Sequence, residues 1–595
     1  MKTICSRWLA TLLAAGALSA SAAEKGTLVA EMTSANVSKS DTVTVETVPV
    51  SGQPFKECLR VTVPSASKNS WDLRLRTPSS GGFQLGDIGI LEFWARKVSG
   101  VGKIECLFER NVEPHNKFAL STVILTPEWK HYRVAWQHMP SWGPSRKDSY
   151  KGGEAQLGVN LGYGKQVVEI AGLRAVNYGP DIPSSELNLT ERTYPGREAD
   201  APWRKAAAER IEKLRKGDFQ LTLTGPDGKP LSGVPVKVSL KRHDFAFGSC
   251  INLYVFHREG ADTERYRKEF ARLFNQAVFE GAMKWNNGWE YSQKLQECLD
   301  FLDDNGITVR GHTLIWPGWV NLPNWLPLLQ ENKSALTQVV RDHIYYEASM
   351  LKDRVVDFDV MNESIGNHDL QDILGRRIMT DWYKTAREAA PGVKLYMNDT
   401  GILTFGTIAD VKTNPKTIEY LTTIREMLAE GAPIDGIGLQ GHFDESRLTP
   451  PEDLLATLDL FGEFKLPLKI TEFDLKTFDE KLEADYLRDV MTVIFSHPQG
   501  AGFLMWGFWN GSHWKFAAPI FRKDWSLKPA GETYQKLLFD TWNTKLDGNT
   551  GADGGFTGRG FYGQYDVEAE VGGKTLRGTF HLSPDGKNHL TVPVR

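Results

Sequence analysis

Residues 355–364 read VVDFDVMNES, an apolar, β-branched run that closes on Asn362 and Glu363. Residues 468–475 read LKITEFDL and likewise bring a glutamate, Glu472, to the end of an apolar run. Short apolar runs bounded by polar residues are typical of strands buried on both faces of a sheet. In a parallel sheet the two carboxylates would come to the same edge.

The same pattern recurs along the chain, which predicts the fold. Eight runs share it: HDFAFGSCIN (243–252), FNQAVFEGAMKW (274–285), ITVRGHTLIW (307–316), VVDFDVMNES (355–364), VKLYMNDT (393–400), IDGIGLQGHF (434–443), LKITEFDL (468–475) and GFLMWGFW (502–509). Stretches with helical spacing separate most of them: Tyr291 to Asp304, Leu336 to Leu351, Thr417 to Glu430 and Leu482 to Phe495. Strand alternating with helix over about 300 residues predicts a (β/α)8 TIM barrel.

Polar or aromatic side chains stand at the C-terminal end of seven of these runs. They are Glu280 and Lys284, His312 and Trp316, Asn362 and Glu363, Asn398 and Asp399, Gln440 and His442, Glu472 and Asp474, and Trp506 with Trp509. The active sites of such barrels lie where the strands end. The sequence therefore predicts a site built from most of the strands, centred on Glu363 and Glu472.

Two carboxylates in one cleft are the groups that hydrolysis of a glycosidic bond requires. One protonates the leaving oxygen, while the other acts on the oxocarbenium-like carbon. A charged Glu472 close to Glu363 would raise the pKa of Glu363, so that one group is protonated and the other ionised near neutral pH. Glycoside hydrolysis is the chemistry we expect of this pair.

From about Phe245 to Phe539, roughly half of the chain, the sequence resembles the catalytic domain of glycoside hydrolase family 10, the endo-1,4-β-xylanases. The resemblance is carried by RGHTLIW (310–316), DVMNES (359–364), IDGIGLQGH (434–442) and ITEFD (470–474). It implies a retaining mechanism through a covalent glycosyl-enzyme, with Glu363 as acid/base and Glu472 as nucleophile.

Supporting roles are predicted for the neighbouring residues. His442 is expected to hydrogen-bond Glu472, and Asp474, on the same strand face as Glu472, to hold the imidazole. The resemblance implies that Asn362 binds the 2-hydroxyl of the sugar and that Gln440 fixes Glu363 or the nucleophile. It further implies glycone contacts from Glu280, Lys284, His312 and Trp316, and an aromatic lid and platform from Trp506 and Trp514.

Two departures from the family pattern bear on substrate choice. Gly281 stands where the family has an asparagine that grips a glycone sugar, and Pro317 replaces a common polar residue. The following segment, WVNLPNW, adds Trp319 and Trp325 near the predicted cleft. Decorated xylan, mixed-linkage glucan or short oligosaccharides are therefore alternative substrates.

Other interpretations of the same residues stay open. The protein could be a related retaining β-1,4-glucanase or mixed-linkage glucanase, or a glycan-binding protein without activity, which Gly281 would favour. His312 and His442 could be core histidines, Asp399 a helix cap and Lys284 a surface charge. The tryptophans could be core aromatics.

Composition indicates a secreted, multidomain protein. The chain has 595 residues with 70 Lys and Arg against 74 Asp and Glu, a net charge of −4 that gives no basic face for nucleic acid. Residues 1–23 have the pattern of a signal peptide, which predicts a secreted or periplasmic protein without a membrane anchor. The five cysteines fit neither a disulfide scaffold nor a zinc motif, although pairing of Cys58 with Cys106 is possible.

No metal, cofactor or obligate protein partner is indicated; the expected partner is a xylan-like polysaccharide or oligosaccharide.

Residues 24–182 contain seven short alternating runs, which predict an antiparallel β-sandwich similar to carbohydrate-binding modules. Its candidate glycan-stacking residues are Trp71, Trp94, Trp129, Trp136 and Trp142. Residues 183–217 are predicted to form a linker and a helix.

The barrel is predicted to span residues 243–545. Two flanking β segments, 218–242 and 546–595, each have too few strands to bury a face alone. We expect them to pack together as one small accessory β domain.

Overall fold

The structure is a computed structural model that describes residues 26–139, 147–183, 186–287, 292–406, 411–515, 517–586 and 588–595. The predicted signal peptide and Trp142 lie outside these residues. The chain divides into two compact units: described residues up to Arg192 with the short segments Thr477–Asp479 and 514–515, and the remainder from Thr193. Within the described ranges, no helix combines the length and apolar character needed to cross a membrane.

The first unit is an antiparallel β structure with two main sheets. Its strands are β1 (Thr27–Glu31), β2 (Ser38–Lys39), β3 (Thr44–Pro49), β4 (Glu57–Val63), β5 (Arg74–Pro78), β6 (Phe83–Gln84), β7 (Ile88–Gly100), β8 (Lys103–Arg110), β9 (Lys117–Ile124), β10 (Lys130–Gln137), β11 (Ser149–Tyr150), β12 (Ala155–Asn160) and β13 (Gln166–Asn177). One sheet has the order β10-β7-β13-β4-β3, with β1 on β13, and the other β2-β5-β12-β8-β9. Apolar residues of both sheets share one core, as in a sandwich.

This unit contains strands that the seven predicted runs do not include, among them β1, β3 and β9. Only two positions of β3, TVETVP, are half-buried and the others are exposed, so this edge strand lacks the alternation that marks a strand in sequence.

Trp136 is fully buried in the core and Trp71 is 56% exposed. Cys58 and Cys106 are buried and unpaired, so the possible disulfide is not present.

The second unit begins with part of the segment whose composition predicts a linker. In the structure this segment packs on the barrel. Tyr194 and Trp203 are buried in the barrel's core cluster, and the Tyr194 hydroxyl donates to Asp489 at 2.8 Å. Helix α1 (Pro202–Leu214) follows, and strands β14 (Lys216–Thr224) and β15 (Pro235–His243) lead into the barrel. Large apolar side chains within a polar stretch are the reason for this docking.

The barrel is closed by eight parallel strands, which confirms the predicted fold. They are β16 (Ala246–Ile251), β17 (Gln276–Phe279), β18 (Thr308–Ile315), β19 (Asp357–Asn362), β20 (Lys394–Asp399), β21 (Gly436–Leu439), β23 (Leu468–Lys476) and β24 (Gly500–Met505), with the short β22 (His442–Asp444) beside β23. Each pairs with the next in this order, β21 pairs with β23, and β24 returns to β16. Every predicted run overlaps its strand.

Helices follow the barrel strands. They are α2 (Leu253–His257), α3 (Ala261–Leu273), α4 (Gln293–Asp304), α5 (Lys333–Leu351), α6 (Asp369–Leu374), α7 (Ile378–Ala389), α8 (Pro415–Ala429), α9 (Pro451–Phe461), α10 (Glu480–Ser496) and α11 (Pro529–Lys536). The four predicted helical stretches correspond to α4, α5, α8 and α10.

The two flanking β segments form one accessory domain, as predicted. Its C-terminal strands are β25 (Lys545–Asn549), β26 (Gly555–Phe561), β27 (Gly563–Val571), β28 (Lys574–Leu582) and β29 (His589–Pro593). β14 lies between β26 and β29, and β15 lies between β25 and β27. Residues of both segments bury a common core that contains Leu221, Val238 and Tyr565.

Candidate active site

Glu363 and Glu472 occupy the C-terminal side of two barrel strands. Glu472 lies within β23, and Glu363 directly follows β19. Glu363 has a φ of 50°, in the left-handed region that side chains other than glycine rarely adopt. Its backbone N–H donates to the Asn398 carbonyl at 2.9 Å, which holds the strand end in this conformation. Such strain is typical of functional positions.

A continuous hydrogen-bond network connects the two carboxylates. Gln440 Nε2 donates to Glu363 Oε1 at 2.9 Å and lies 3.3 Å from Asn362 Oδ1. Asn398 Nδ2 donates to the same Asn362 oxygen at 2.9 Å and to Glu472 Oε1 at 2.8 Å. The Asn362 amide oxygen is therefore the shared acceptor between the surroundings of Glu363 and those of Glu472.

The second oxygen of Glu472 is held by a histidine. His442 Nε2 lies 3.1 Å from Glu472 Oε2, and His442 Nδ1 lies 3.0 Å from Asp474 Oδ2. Both contacts expected from the sequence are thus present. Asp474 fixes the ring on its other side, and the hydrogen bond from His442 favours the ionised form of Glu472.

The environments of the two glutamates shift their pKa values in opposite directions. Burial raises the pKa of Glu363, and the charge of Glu472 adds to this rise, against the hydrogen bond from Gln440. Burial would also raise the pKa of Glu472, but the hydrogen bond from His442 and the electrostatic interactions with His312, His442 and Lys284 outweigh it and lower that pKa. The site therefore favours a protonated Glu363 beside an ionised Glu472.

His312 is held by charged groups inside the barrel. Its Nδ1 lies 2.8 Å from Asp359 Oδ2, and Asp359 is in turn hydrogen-bonded by the fully buried Arg310. Arg310 Nη1 also donates to Asp357 at 2.6 Å. The ring of His312 packs edge-on against Trp506 with a centroid separation of 5.3 Å. These contacts set the orientation of His312.

Several buried polar atoms of the predicted site residues have no hydrogen-bond partner among the described residues. They include Asn362 Nδ2, Gln440 Oε1 and the indole N–H of Trp316. A sugar presents hydroxyl groups that both donate and accept, so it can satisfy atoms of this kind. Asn362 Nδ2 is the donor expected for the 2-hydroxyl.

Two of the predicted binding tryptophans, Trp316 and Trp506, lie near the ammonium of Lys284. The Lys284 ammonium lies 5.1 Å from the Trp316 ring centre and 5.6 Å from that of Trp506. Burial raises the pKa of Glu280, against a 2.7 Å hydrogen bond from Asn252. This end of the barrel thus combines carboxylate, ammonium and aromatic groups.

Trp514 differs from the other predicted site residues. It lies in the short segment that belongs to the first unit, its side chain is 41% exposed, and the Lys515 ammonium lies over its ring at 4.4 Å. Of the two tryptophans after Pro317, Trp325 is 49% exposed and Trp319 is half-buried.

Two contacting residues, Asp359 and Asn367, are absent from the sequence-predicted set, and Asn398 belongs to it only as a strand-end residue without an assigned role. Asn398 stands at a strand end, and Asp359 lies on the strand that carries Asn362, so position gives a signal for both. Asn367, whose Nδ2 lies 3.3 Å from Glu363 Oε2, comes from a loop and has none. In the part of the chain that the structure describes, no cluster of three or more His, Cys, Asp or Glu side chains could hold a metal ion.

Residues 237–540 match the model of glycosyl hydrolase family 10. The chain belongs to this family. Among curated proteins, this family 10 chain is 31% identical over 378 residues to the anti-sigma-I factor RsgI6 of Acetivibrio thermocellus, covering 62% of the chain and 47% of that protein. It is 30% identical over 369 residues to endo-1,4-beta-xylanase 1 of Arabidopsis thaliana, covering 61% of the chain and 37% of that protein.

The match thus spans less than half the length of these two relatives. Among solved structures, native xylanase 10B from Thermotoga maritima is 25% identical with a TM-score of 0.46, covering 50% of this chain and 96% of that one.

Proposed function

We propose that this protein is a retaining endo-1,4-β-xylanase. The observation that carries the proposal is the pair Glu363 and Glu472, which a hydrogen-bond network connects at the C-terminal end of a family 10 barrel. The pKa of Glu363 is raised and that of Glu472 is lowered. Six Arabidopsis thaliana relatives named as endo-1,4-β-xylanases or a xylanase-like protein support xylan as the substrate class.

In the first half of the reaction, Glu472 attacks the anomeric carbon while Glu363 passes its proton to the leaving oxygen. The glycosidic C–O bond breaks, and an ester joins the sugar to Glu472. Its formation removes the negative charge of Glu472, so the pKa of Glu363 falls and Glu363 becomes a base. Glu363 then takes a proton from water, whose oxygen attacks the anomeric carbon and releases Glu472.

The supporting side chains act at defined points of this cycle. His442 and Asn398 hold both oxygens of Glu472 and keep it ionised for attack. Asn362 Nδ2 would donate to the sugar 2-hydroxyl, a contact that strengthens in the transition state.

We further propose that the protein is exported and that its β-sandwich binds glycan. The pattern of residues 1–23 supports export, and the aromatic side chains of the sandwich support glycan binding. In the sandwich, the Phe55, Trp94 and Trp129 rings lie together, with Phe55 5.7 Å from Trp94 and 4.9 Å from Trp129.

Product analysis on purified β-1,4-glycans tests the catalytic proposal. The full chain should cleave xylan internally, faster than cellulose or mixed-linkage glucan, and proton NMR should show the β-anomer as the first product. Faster cleavage of a glucan would favour the glucanase alternative, and an α-anomer would contradict retention. No cleavage of any polymer would leave a glycan-binding role.

A further inference from the structure

The loop after β18 is joined to the segment that follows Glu363. The Leu370 N–H donates to the Pro317 carbonyl at 3.1 Å. The Trp319 N–H donates to Asp369 Oδ2 at 2.8 Å. This loop begins at Pro317, one of the two positions at which the sequence departs from the family pattern.

Asn367 lies between this loop and the Glu363 carboxyl. Its Nδ2 lies 3.3 Å from Glu363 Oε2 and also 3.3 Å from the Glu363 carbonyl oxygen. Its Oδ1 accepts a hydrogen bond from Asn321 Nδ2, on the loop, at 3.0 Å. A Cβ atom at Gly318 would stand 2.6 Å from Asn367 Oδ1, so the loop approaches this closely only with glycine there.

We infer that Asn367, oriented by Asn321, is a positioning residue for the acid/base Glu363, holding its second carboxyl oxygen and stabilising its ionised form. The inference rests on the proposed function, because Glu363 needs such control only if it alternates between acid and base.

The two oxygens of Glu363 have donors of unequal strength. Gln440 approaches Oε1 at 2.9 Å, whereas Asn367 approaches Oε2 at 3.3 Å. A protonated oxygen is a poor acceptor, so the proton of the acid form resides on Oε2, where the competing donor is weaker. After this proton passes to the leaving oxygen, Oε2 carries charge and Asn367 stabilises it. When Glu363 later takes a proton from water, the contact weakens again.

The Asn321 contact selects which end of the Asn367 amide faces Glu363. Because Asn321 donates to Oδ1, the Asn367 amide nitrogen is directed at the carboxyl. Replacing the donor at position 321 with an acceptor would reverse this preference, although residue 321 has no contact of its own with Glu363 among the hydrogen bonds described. The loop thereby influences the acid/base through one intervening side chain.

Other charged groups also act on Glu363. Glu472, His442, His312 and Asp399 each contribute an electrostatic interaction with its carboxyl. Burial raises the pKa of Asp399 to about 7, and Asp399 accepts hydrogen bonds from the Ile365 and Thr400 N–H groups. A substitution at position 367 or 321 leaves all of these groups in place. Because Asn367→Ala adds no charge, a change in the titration of that variant can be assigned to the amide pair.

The test is the pH dependence of kcat/KM on xylan for three variants of the full chain. Asn367→Asp keeps the side-chain shape and can still accept from Asn321, but it loses the donor to Glu363 and adds a like charge. The pKa of Glu363 rises, and the alkaline limb should move up by about one pH unit. Asn321→Asp should move the alkaline limb in the same direction by a smaller amount, since residue 321 acts on Glu363 through Asn367. Asn324→Asp, the same charge change at an exposed position of the same loop, should leave the profile in place.

Carbon NMR titration of the Glu363 carboxyl, assigned by its loss in Glu363→Gln, measures the same pKa without turnover. Alkaline limbs and carboxyl titrations of Asn367→Asp and Asn321→Asp that overlay the wild type would overturn the inference. So would an equal change in Asn324→Asp. If Asn367→Asp does not fold, Asn367→Ala and Asn321→Asp decide by the same criterion. If the wild-type chain hydrolyses no glycan, the proposed function fails, whereas the NMR titration still decides the positioning role.

Discussion

His442 Nε2 lies 3.1 Å from Glu472 Oε2, and this contact lowers the pKa of a glutamate that burial alone would raise. The imidazole is fixed on its other side by Asp474. The ionised Glu472 that the proposed mechanism requires thus depends on a neighbouring histidine.

Replacing His442 with alanine should therefore raise the pKa of Glu472. Because the nucleophile must be ionised, the acidic limb of the kcat/KM profile should move to higher pH by about one pH unit. At a fixed pH on that limb, such a displacement should lower kcat/KM about tenfold. An unmoved acidic limb would contradict the role assigned to His442. His581→Ala, an exposed histidine of the accessory domain, is the control and should not change the profile.

Replacing Asn398 with alanine removes donors to both Glu472 and Asn362. Loss of one such donor to a reacting carboxylate should lower kcat by about 10²-fold or more. Burst kinetics on an activated aryl xyloside measure the formation of the glycosyl-enzyme and should show the loss there. A rate of glycosyl-enzyme formation close to that of the wild type would mean that Asn398 has only a structural role. Asn324→Ala is the matched control.

Replacing Glu363 with alanine should separate two classes of substrate. The variant should lose activity on xylan by about 10²–10⁴-fold, the contribution expected of a general acid. On aryl glycosides whose leaving group needs no proton, it should still form the glycosyl-enzyme. Equal losses on both substrates would count against the acid/base assignment. Comparison of burst amplitudes with steady-state rates makes the distinction.

A buried carboxyl in α5 makes stability depend on pH. Burial raises the pKa of Glu347 well above its ordinary value, and the nearest imidazole, that of His343, has its own pKa lowered to about 4 by burial. In the folded state Glu347 keeps its proton at pH values where the unfolded chain has lost it. Its contribution to stability is therefore complete below the unfolded pKa of about 4.3 and decreases as the pH rises.

Glu347→Gln cannot ionise and should remove this decrease. Its unfolding free energy should exceed that of the wild type by about 1–3 kcal/mol at pH 8 and by less at pH 5. Calorimetry at the two pH values measures the barrel transition. The exposed Glu388→Gln on α7 is the control and should change neither value. A difference that stays constant with pH would contradict the buried, protonated state.

The barrel was predictable because its strands carry a strong pattern. Runs such as VVDFDVMNES are apolar, since parallel strands are covered on both faces, and seven of the eight end in polar or aromatic groups of the predicted site. The edge strand β3 (Thr44–Pro49) was not predictable, because its exposure leaves no alternation to detect.

Within the site, the sequence indicates which strand ends converge but not which atoms meet. The contact of His442 with Glu472 followed from residues on neighbouring strands. That of Asn398 with Glu472 joins residues 74 positions apart and depends on strand register. The Asn321–Asn367 contact depends on the path of two loops, which no periodicity encodes.

The most direct test of the central claim is to trap the glycosyl-enzyme. A 2-deoxy-2-fluoro-xylobioside with a good leaving group slows hydrolysis of the ester more than its formation, so the intermediate accumulates. Mass spectrometry of the full chain should show one added xylobiosyl group, and peptide mapping should place it on Glu472. Labelling of a different residue, or turnover with inversion and no adduct, would contradict the account.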